Sequence, residues 1–132
     1  DRKIEQELVP AARACGASVL PYFPLASGML TGKYRRGGEG PADSRLTLAP
    51  HMGQHLLTDA NFDLVESLTD FAGARGRTLL DLAIGWLASQ PHVASVIAGA
   101  TKPEQIEANV KAGEWELSAG EVAEVSKLSF RF

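Results

Sequence analysis

The sequence predicts a parallel α/β chain, part of an α/β barrel or doubly wound sheet whose other strands lie elsewhere. Three observations carry that prediction. "ASVLPYF", residues 17–23, and "HVASVIA", residues 92–98, read as short buried strands rich in β-branched and aromatic residues. A long loop and two helical patterns lie between them, as a crossover between parallel strands requires. Each strand runs straight into a turn, "PLASGMLTGKY" after the first and "GATKPEQ" after the second. Two parallel strands alone leave edges open, so the pair is expected to belong to a larger sheet.

The elements follow in order. "IEQELVPAARAC", residues 4–15, places Ile4, Leu8, Ala11, Ala12 and Cys15 on one stripe at helical spacing, with Gly16 as the stop. Pro10 inside that run marks either a kink or a late helix start. After the first strand, residues 35–57 show no period and carry Gly, Pro and charges, so a long functional or disordered loop is expected. The next helix opens near Thr58 or Asp59, turns Phe62, Val65, Leu68 and Phe71 to a core, and ends before Gly76. Thr78 with Asp81 caps "LLDLAIGWLAS", apolar almost all round and so buried. Pro91 and the second strand come next. Thr101 with Glu104 reads as a capping box for a helix to about Lys111, with Pro103 in its first turn. Ser118 with Glu121 caps a last amphipathic helix carrying Val122, Val125 and Leu128.

A chain of 132 residues suits one domain with a real core, and residues 1–132 read as a single unit. With 45% hydrophobic residues and 22% charged, the composition is that of a soluble globular protein. A net charge of −3 with no basic face argues against nucleic acid as a partner. No apolar run reaches the roughly 18 residues of a membrane helix, and no secretory leader is seen. The lone Cys15 excludes an internal disulfide and fits a reducing, cytoplasmic setting. The start at Asp1 rather than Met, directly in a helical pattern, suggests a piece of something longer.

Both candidate sites lie just past a strand's C-terminal end, the edge at which such sheets hold their ligands. In the first, Ser27, Gly28, Thr31 and Gly32 let backbone come close to a ligand and Lys33 adds charge; exposed N–H groups there suit a phosphate, with an ordinary flexible turn as the alternative. It is not a P-loop, since Tyr34 stands where Ser or Thr is required, and no G-x-G-x-x-G exists in the chain. In the second, Lys102 is a cation facing the positive end of a helix dipole. A phosphate docked on the helix start would turn that misfit into a counter-ion. Thr101, Gln105 and Asn109 follow one another at spacings of four on one face, suited to reading a purine edge. The alternative is a surface lysine in water.

Other candidates are poor. His51 and His55 are four apart but lie in a loop-like segment without a Glu, and His92 begins a strand, so no metal site is expected. Ser27 lacks the first Gly of a nucleophile elbow and has no Asp–His support. Cys15 reads as inert, and Trp86 and Trp115 as packing residues.

"VLPYFPLASGMLTGKY" followed by "SVIAGATKPEQIEANV" resembles the C-terminal half of the aldo-keto reductases, and "TLLDLAIGWLASQP" and "ELSAGEVAEV" extend the resemblance over nearly the whole chain. The resemblance implies the last two strands of a (β/α)8 TIM barrel that reduces small-molecule carbonyls with NADP(H). It implies that Phe23, Pro24, Leu25, Ala26, Ser27 and Gly28 wrap the cofactor's pyrophosphate and ribose, that the loop with Lys33 folds over it, that Gly99, Thr101 and Lys102 hold the 2′-phosphate, and that Gln105 and Asn109 contact adenine. Many members have Glu before that Asn; here it is Ala108. The family's catalytic Asp, Tyr, Lys and His come from the first half of the barrel, so this chain is expected to carry no catalytic residue and no activity alone. A whole barrel takes about 250 residues. Alternatively, the chain is an NADP(H)-sensing structural module, as in the family's potassium-channel β-subunit relatives. Self-association is expected to cover its open edges. Arg35, Arg36 and Arg45 are candidates in the long loop for lining the pocket or clasping the cofactor.

Overall fold

Gly16 and Gly76, both at φ near +66°, stop helices in the same way. At the first, Ala17 N–H donates to Ala12 O at 2.8 Å and Gly16 N–H to Arg13 O at 3.1 Å; at the second, Arg77 N–H donates to Ala72 O and Gly76 N–H to Gly73 O, each at 3.0 Å. Both are Schellman closures, in which the left-handed glycine lets the chain turn back on its last carbonyls. The computed structural model describes residues 2–38, 40–49, 51 and 53–130.

Six α-helices are present among the described residues: α1 Leu8–Ala14, the short α2 Arg45–Leu48, α3 Asp59–Gly73, α4 Leu79–Ala88, α5 Pro103–Ala112 and α6 Ala119–Ser129. Helix α1 begins at Leu8, so Pro10 sits in its first turn and causes no kink. The stripe expected of this helix is not its packed face. Val9 is buried, whereas Leu8 and Cys15 are exposed. The 35–57 segment is not featureless: it holds α2 and a 3-10 turn at Gln54–Leu56.

Thr58 caps α3 by accepting from Asn61 N–H, and full capping boxes close α4 (Thr78 with Asp81) and α6 (Ser118 with Glu121). The core lies where these three helices meet: Phe62, Val65, Leu68 and Phe71 of α3, Leu79 and Leu82 of α4 and Val125 of α6 are buried with Trp115 and Leu117. Gly85 brings α4 against the turn after α5, because a Cβ there would lie 2.8 Å from Trp115 O.

The expected buried strands do not form as strands. Segments 17–23 and 92–98 do run parallel, but they meet only in isolated bridges, Val19 with Val93 and Tyr22 with Ile97. Val19 N–H donates to His92 O at 2.7 Å, and Ile97 N–H to Pro21 O at 2.9 Å. Leu20, Tyr22 and Ile97 are exposed, Tyr22 by 80%. Among the described residues no further strand lies on either side to straighten the pair into a ladder.

Candidate functional site

The turn after the first segment is held in a conformation that side chains resist. Phe23 (φ 66°), Ala26 (46°) and Ser27 (57°) are left-handed without being glycine, and Gly28 (89°) continues the run. Such residues persist only where their surroundings hold them. Pro24, Leu25 and Ala26 are half-buried and Phe23 is 40% exposed, with the Arg45 guanidinium 5.9 Å over its ring. Ser27 is buried, and its Oγ has no hydrogen-bond partner. A buried hydroxyl left unpaired is costly and calls for a reason. Lys33 folds back over the turn: a Cβ on Gly28 would lie 2.8 Å from Lys33 Nζ. Any side chain at position 28 would have to displace that ammonium and adopt a φ of 89°.

The second candidate region is the start of α5, where one expectation fails. Thr101 and Glu104 make no capping box. Lys102 is itself the N-cap residue, no side chain caps the helix, and Pro103 is at the first position. Gln105 reaches back instead, its Oε1 accepting from Thr101 N–H at 2.8 Å and Thr101 Oγ1 at 3.2 Å. The proline moves the helix start one residue on, so Gln105 rather than Glu104 occupies the third position. Thr101 and Gln105 are therefore tied to each other, and Gly99 is exposed beside them. Asn109 is half-buried and lines a cavity of about 390 Å³ with Val93, Val96, Ile106 and Val110.

The long loop touches both regions. Asp43 Oδ2 lies 3.7 Å from Lys102 Nζ, both side chains being exposed. Leu46 N–H donates to Tyr34 Oη at 3.4 Å, and that hydroxyl donates to Ser27 O at 3.3 Å. The loop's beginning is moored to α3, where Arg36 pairs with Asp59 at 2.9 Å, with Asp63, and with Glu66 at 3.6 Å. Those carboxylates, Asp63 foremost, hold the guanidinium pKa above its ordinary value. Arg36 is thus an anchor, and Arg45 is the loop arginine that approaches the turn.

Sequence reasoning missed Tyr34 and Asp43. Tyr34 fits neither the hydroxyl position of a P-loop nor the family's catalytic tyrosine, and its burial is set by packing that the sequence does not mark. Nothing in the spacing of Asp43 marks it as the partner of a lysine so far along the chain. Among the described residues, no group of three His, Cys, Asp or Glu side chains is placed to hold a metal. Among the same residues, no helix is long and apolar enough to cross a membrane.

A sequence model described as the Aldo/keto reductase family matches residues 1–129. A protein of Oryza sativa subsp. japonica named probable voltage-gated potassium channel subunit beta is 44% identical over 112 residues, covering 83% of this chain and 34% of that one. A protein of Escherichia coli K12 named NADH-specific methylglyoxal reductase is 33% identical over 118 residues, covering 89% of this chain and 35% of that one. Among solved structures, the glycerol dehydrogenase AKR11B4 from Gluconobacter oxydans superposes with a TM-score of 0.77 at 27% identity, covering 99% of this chain and 39% of that one. The chain spans about a third of the length of these curated relatives.

Proposed function

The chain belongs to the Aldo/keto reductase family, whose fold is the (β/α)8 barrel, and from that premise we propose that it is the NADP(H)-binding, C-terminal portion of a carbonyl reductase. In this reading residues 1–132 are one partial domain carrying the last two barrel strands. The small-molecule aldehyde or ketone is reduced only in the intact, cytoplasmic protein, and this chain is silent alone because none of its residues supplies the acid–base chemistry. The bound cofactor supplies the hydride.

The observation that carries the reading is the uncapped start of α5. Helices α3, α4 and α6 each open on a Thr or Ser side-chain cap, whereas α5, uncapped like α1 and α2, has a cation, Lys102, in that place. A helix start with no side-chain cap, its positive dipole end and an ammonium together suit a dianionic 2′-phosphate. Thr101 and Gly99 flank it, and Gln105 and Asn109 continue along the helix toward the adenine.

The residues present also fit the other end of the cofactor. The unpartnered Ser27 Oγ, the left-handed run through Phe23, Ala26, Ser27 and Gly28, and Lys33 folded over Gly28 form a cradle for a pyrophosphate. Pro24 and Leu25 complete its wall.

Calorimetric titration of the purified chain with NADPH and NADH tests this. Tighter binding of NADPH with no reduction of nitrobenzaldehyde is the expected result; turnover defeats the silence, and equal affinities defeat the 2′-phosphate site. The rice relative's name favours one second reading, a non-catalytic NADP(H)-sensing module. Tight NADPH binding by a chain that forms a defined oligomer would select it.

A further inference from the structure

We infer that Tyr34 is a positioning residue, a clasp that fastens the loop helix α2 over the strained 23–28 turn; its consequence for a ligand rests on the cofactor reading above. Tyr34 is buried in the core cluster, 6% exposed, with its hydroxyl between Ser27 O and Leu46 N–H. Leu46 is the second residue of α2, where a backbone N–H has no partner within the helix. Tyr34 Oη is the acceptor that supplies one. Its own proton goes to the carbonyl of Ser27, the most buried of the left-handed residues, so a single phenol ties the loop helix to the turn.

Two glycines show how closely the loop is drawn down. A Cβ on Gly40 would lie 2.7 Å from Tyr34 Cε1, so the chain passes directly against the ring. A Cβ on Gly53 would strike Leu46 Cδ2 and come within 3.0 Å of Ser27 Oγ. Ser27, Tyr34, Leu46 and Gly53 therefore form a closed ring of contacts, with Gly40 lying against the Tyr34 ring. Both hydrogen bonds are long, so neither is strong alone. The grip comes from their burial and from two positions where a Cβ would force the Tyr34 ring or Leu46 to shift.

The clasp separates from plain core packing by its hydroxyl. In the full chain, Tyr34→Phe keeps the ring and removes both bonds. Amide exchange at Leu46 is expected to quicken about threefold to fivefold, the worth of one ordinary hydrogen bond, while exchange in α4 and α6 stays put and the NADPH Kd rises by a similar factor. Gly53→Ala, which pushes Leu46 and Ser27 apart from the other side, should give the same pattern. Unchanged Leu46 exchange in both variants overturns the clasp, as does acceleration shared equally with α4 and α6. Faster Leu46 exchange with an unchanged NADPH Kd overturns the positioning role. If the unaltered chain binds no NADPH, the cofactor reading falls, and Leu46 exchange in the two variants alone decides whether the clasp exists.

Discussion

Lys102 Nζ lies 3.7 Å from Asp43 Oδ2, so the cation at the start of α5 already has a carboxylate beside it. A ligand phosphate and Asp43 would compete for that ammonium. Asp43→Asn is therefore expected to tighten NADPH binding about twofold to threefold at low salt, less as salt screens the pair. Lys102→Ala should weaken NADPH about tenfold, the range of a charge-assisted hydrogen bond, and leave NADH unchanged. Titration of both variants with both coenzymes checks this. Because both side chains are exposed, neither change should move the melting temperature.

Ser27 offers a test in which stability and binding move in opposite directions. Its buried Oγ has no partner, and Ala tolerates a φ of 57° no worse than Ser. Removing an unsatisfied buried hydroxyl should leave the ligand-free chain as stable or up to about 1 kcal/mol more so. The same Ser27→Ala change should weaken NADPH. A denaturant midpoint that falls would mean the hydroxyl is serving the fold.

What the sequence made legible follows from the range of the forces involved. The caps at Thr58, Thr78 and Ser118 and the stops at Gly16 and Gly76 depend on neighbours within five residues, and each stands in the structure. The Thr101–Glu104 box failed for an equally local reason, since Pro103 at the first helical position makes Lys102 the cap. Strand formation at 17–23 and 92–98 depends on cross-strand partners, and among the described residues these segments meet only each other in isolated bridges, so β-branched composition marked the right segments but not their final state. The link from Asp43 to Lys102 and the packing of Tyr34 beneath Leu46 are set by the path of the loop, which leaves no periodic mark.

Gly85 is a packing requirement. Its missing Cβ leaves room for Trp115 O at 2.8 Å and Leu117 Cδ1 at 3.1 Å, and a backbone oxygen cannot swing aside as a side-chain end can. Gly85→Ala gains up to about 1 kcal/mol of helix propensity but forces α4 away from the turn after α5, at a cost of about 1–3 kcal/mol. A net loss in urea-unfolding free energy is expected. An unchanged or higher midpoint would show that the turn can yield.

Glu121 gives α6 a pH dependence. Its carboxylate accepts from Ser118 N–H at 2.9 Å, from Ser118 Oγ at 2.8 Å and from Arg75 Nε at 3.0 Å, and these bonds, the backbone one foremost, hold its pKa below the usual carboxylate range. A pKa lowered in the folded chain stabilises above the unfolded value and is lost as pH falls through the folded one. The stability of the chain should therefore decline from about pH 4.3 downward, and Glu121→Gln, fixed in a neutral form, should flatten that limb. Unfolding midpoints of the two proteins between neutral and acid pH check it; parallel curves would remove Glu121 from the account.

Tyr22 and Ile97 face each other across one isolated bridge and are 80% and 54% exposed, with Leu20 at 54% beside them. These side chains and the unpaired backbone around them lie on the parallel pair of segments, where a barrel would continue with further strands. The chain spans about a third of its curated relatives, and an apolar, edge-bearing surface of this kind drives association. Light scattering at micromolar concentration should give a mass above the 14.1 kDa of one chain. Ile97→Asp should return the protein to a single chain, because a carboxylate on that face resists desolvation. Helix α5 should keep its amide protection in that variant. A single chain before any substitution would mean that the exposed pair is tolerated in water, and the reading of these segments as part of an incomplete barrel would lose its main physical consequence.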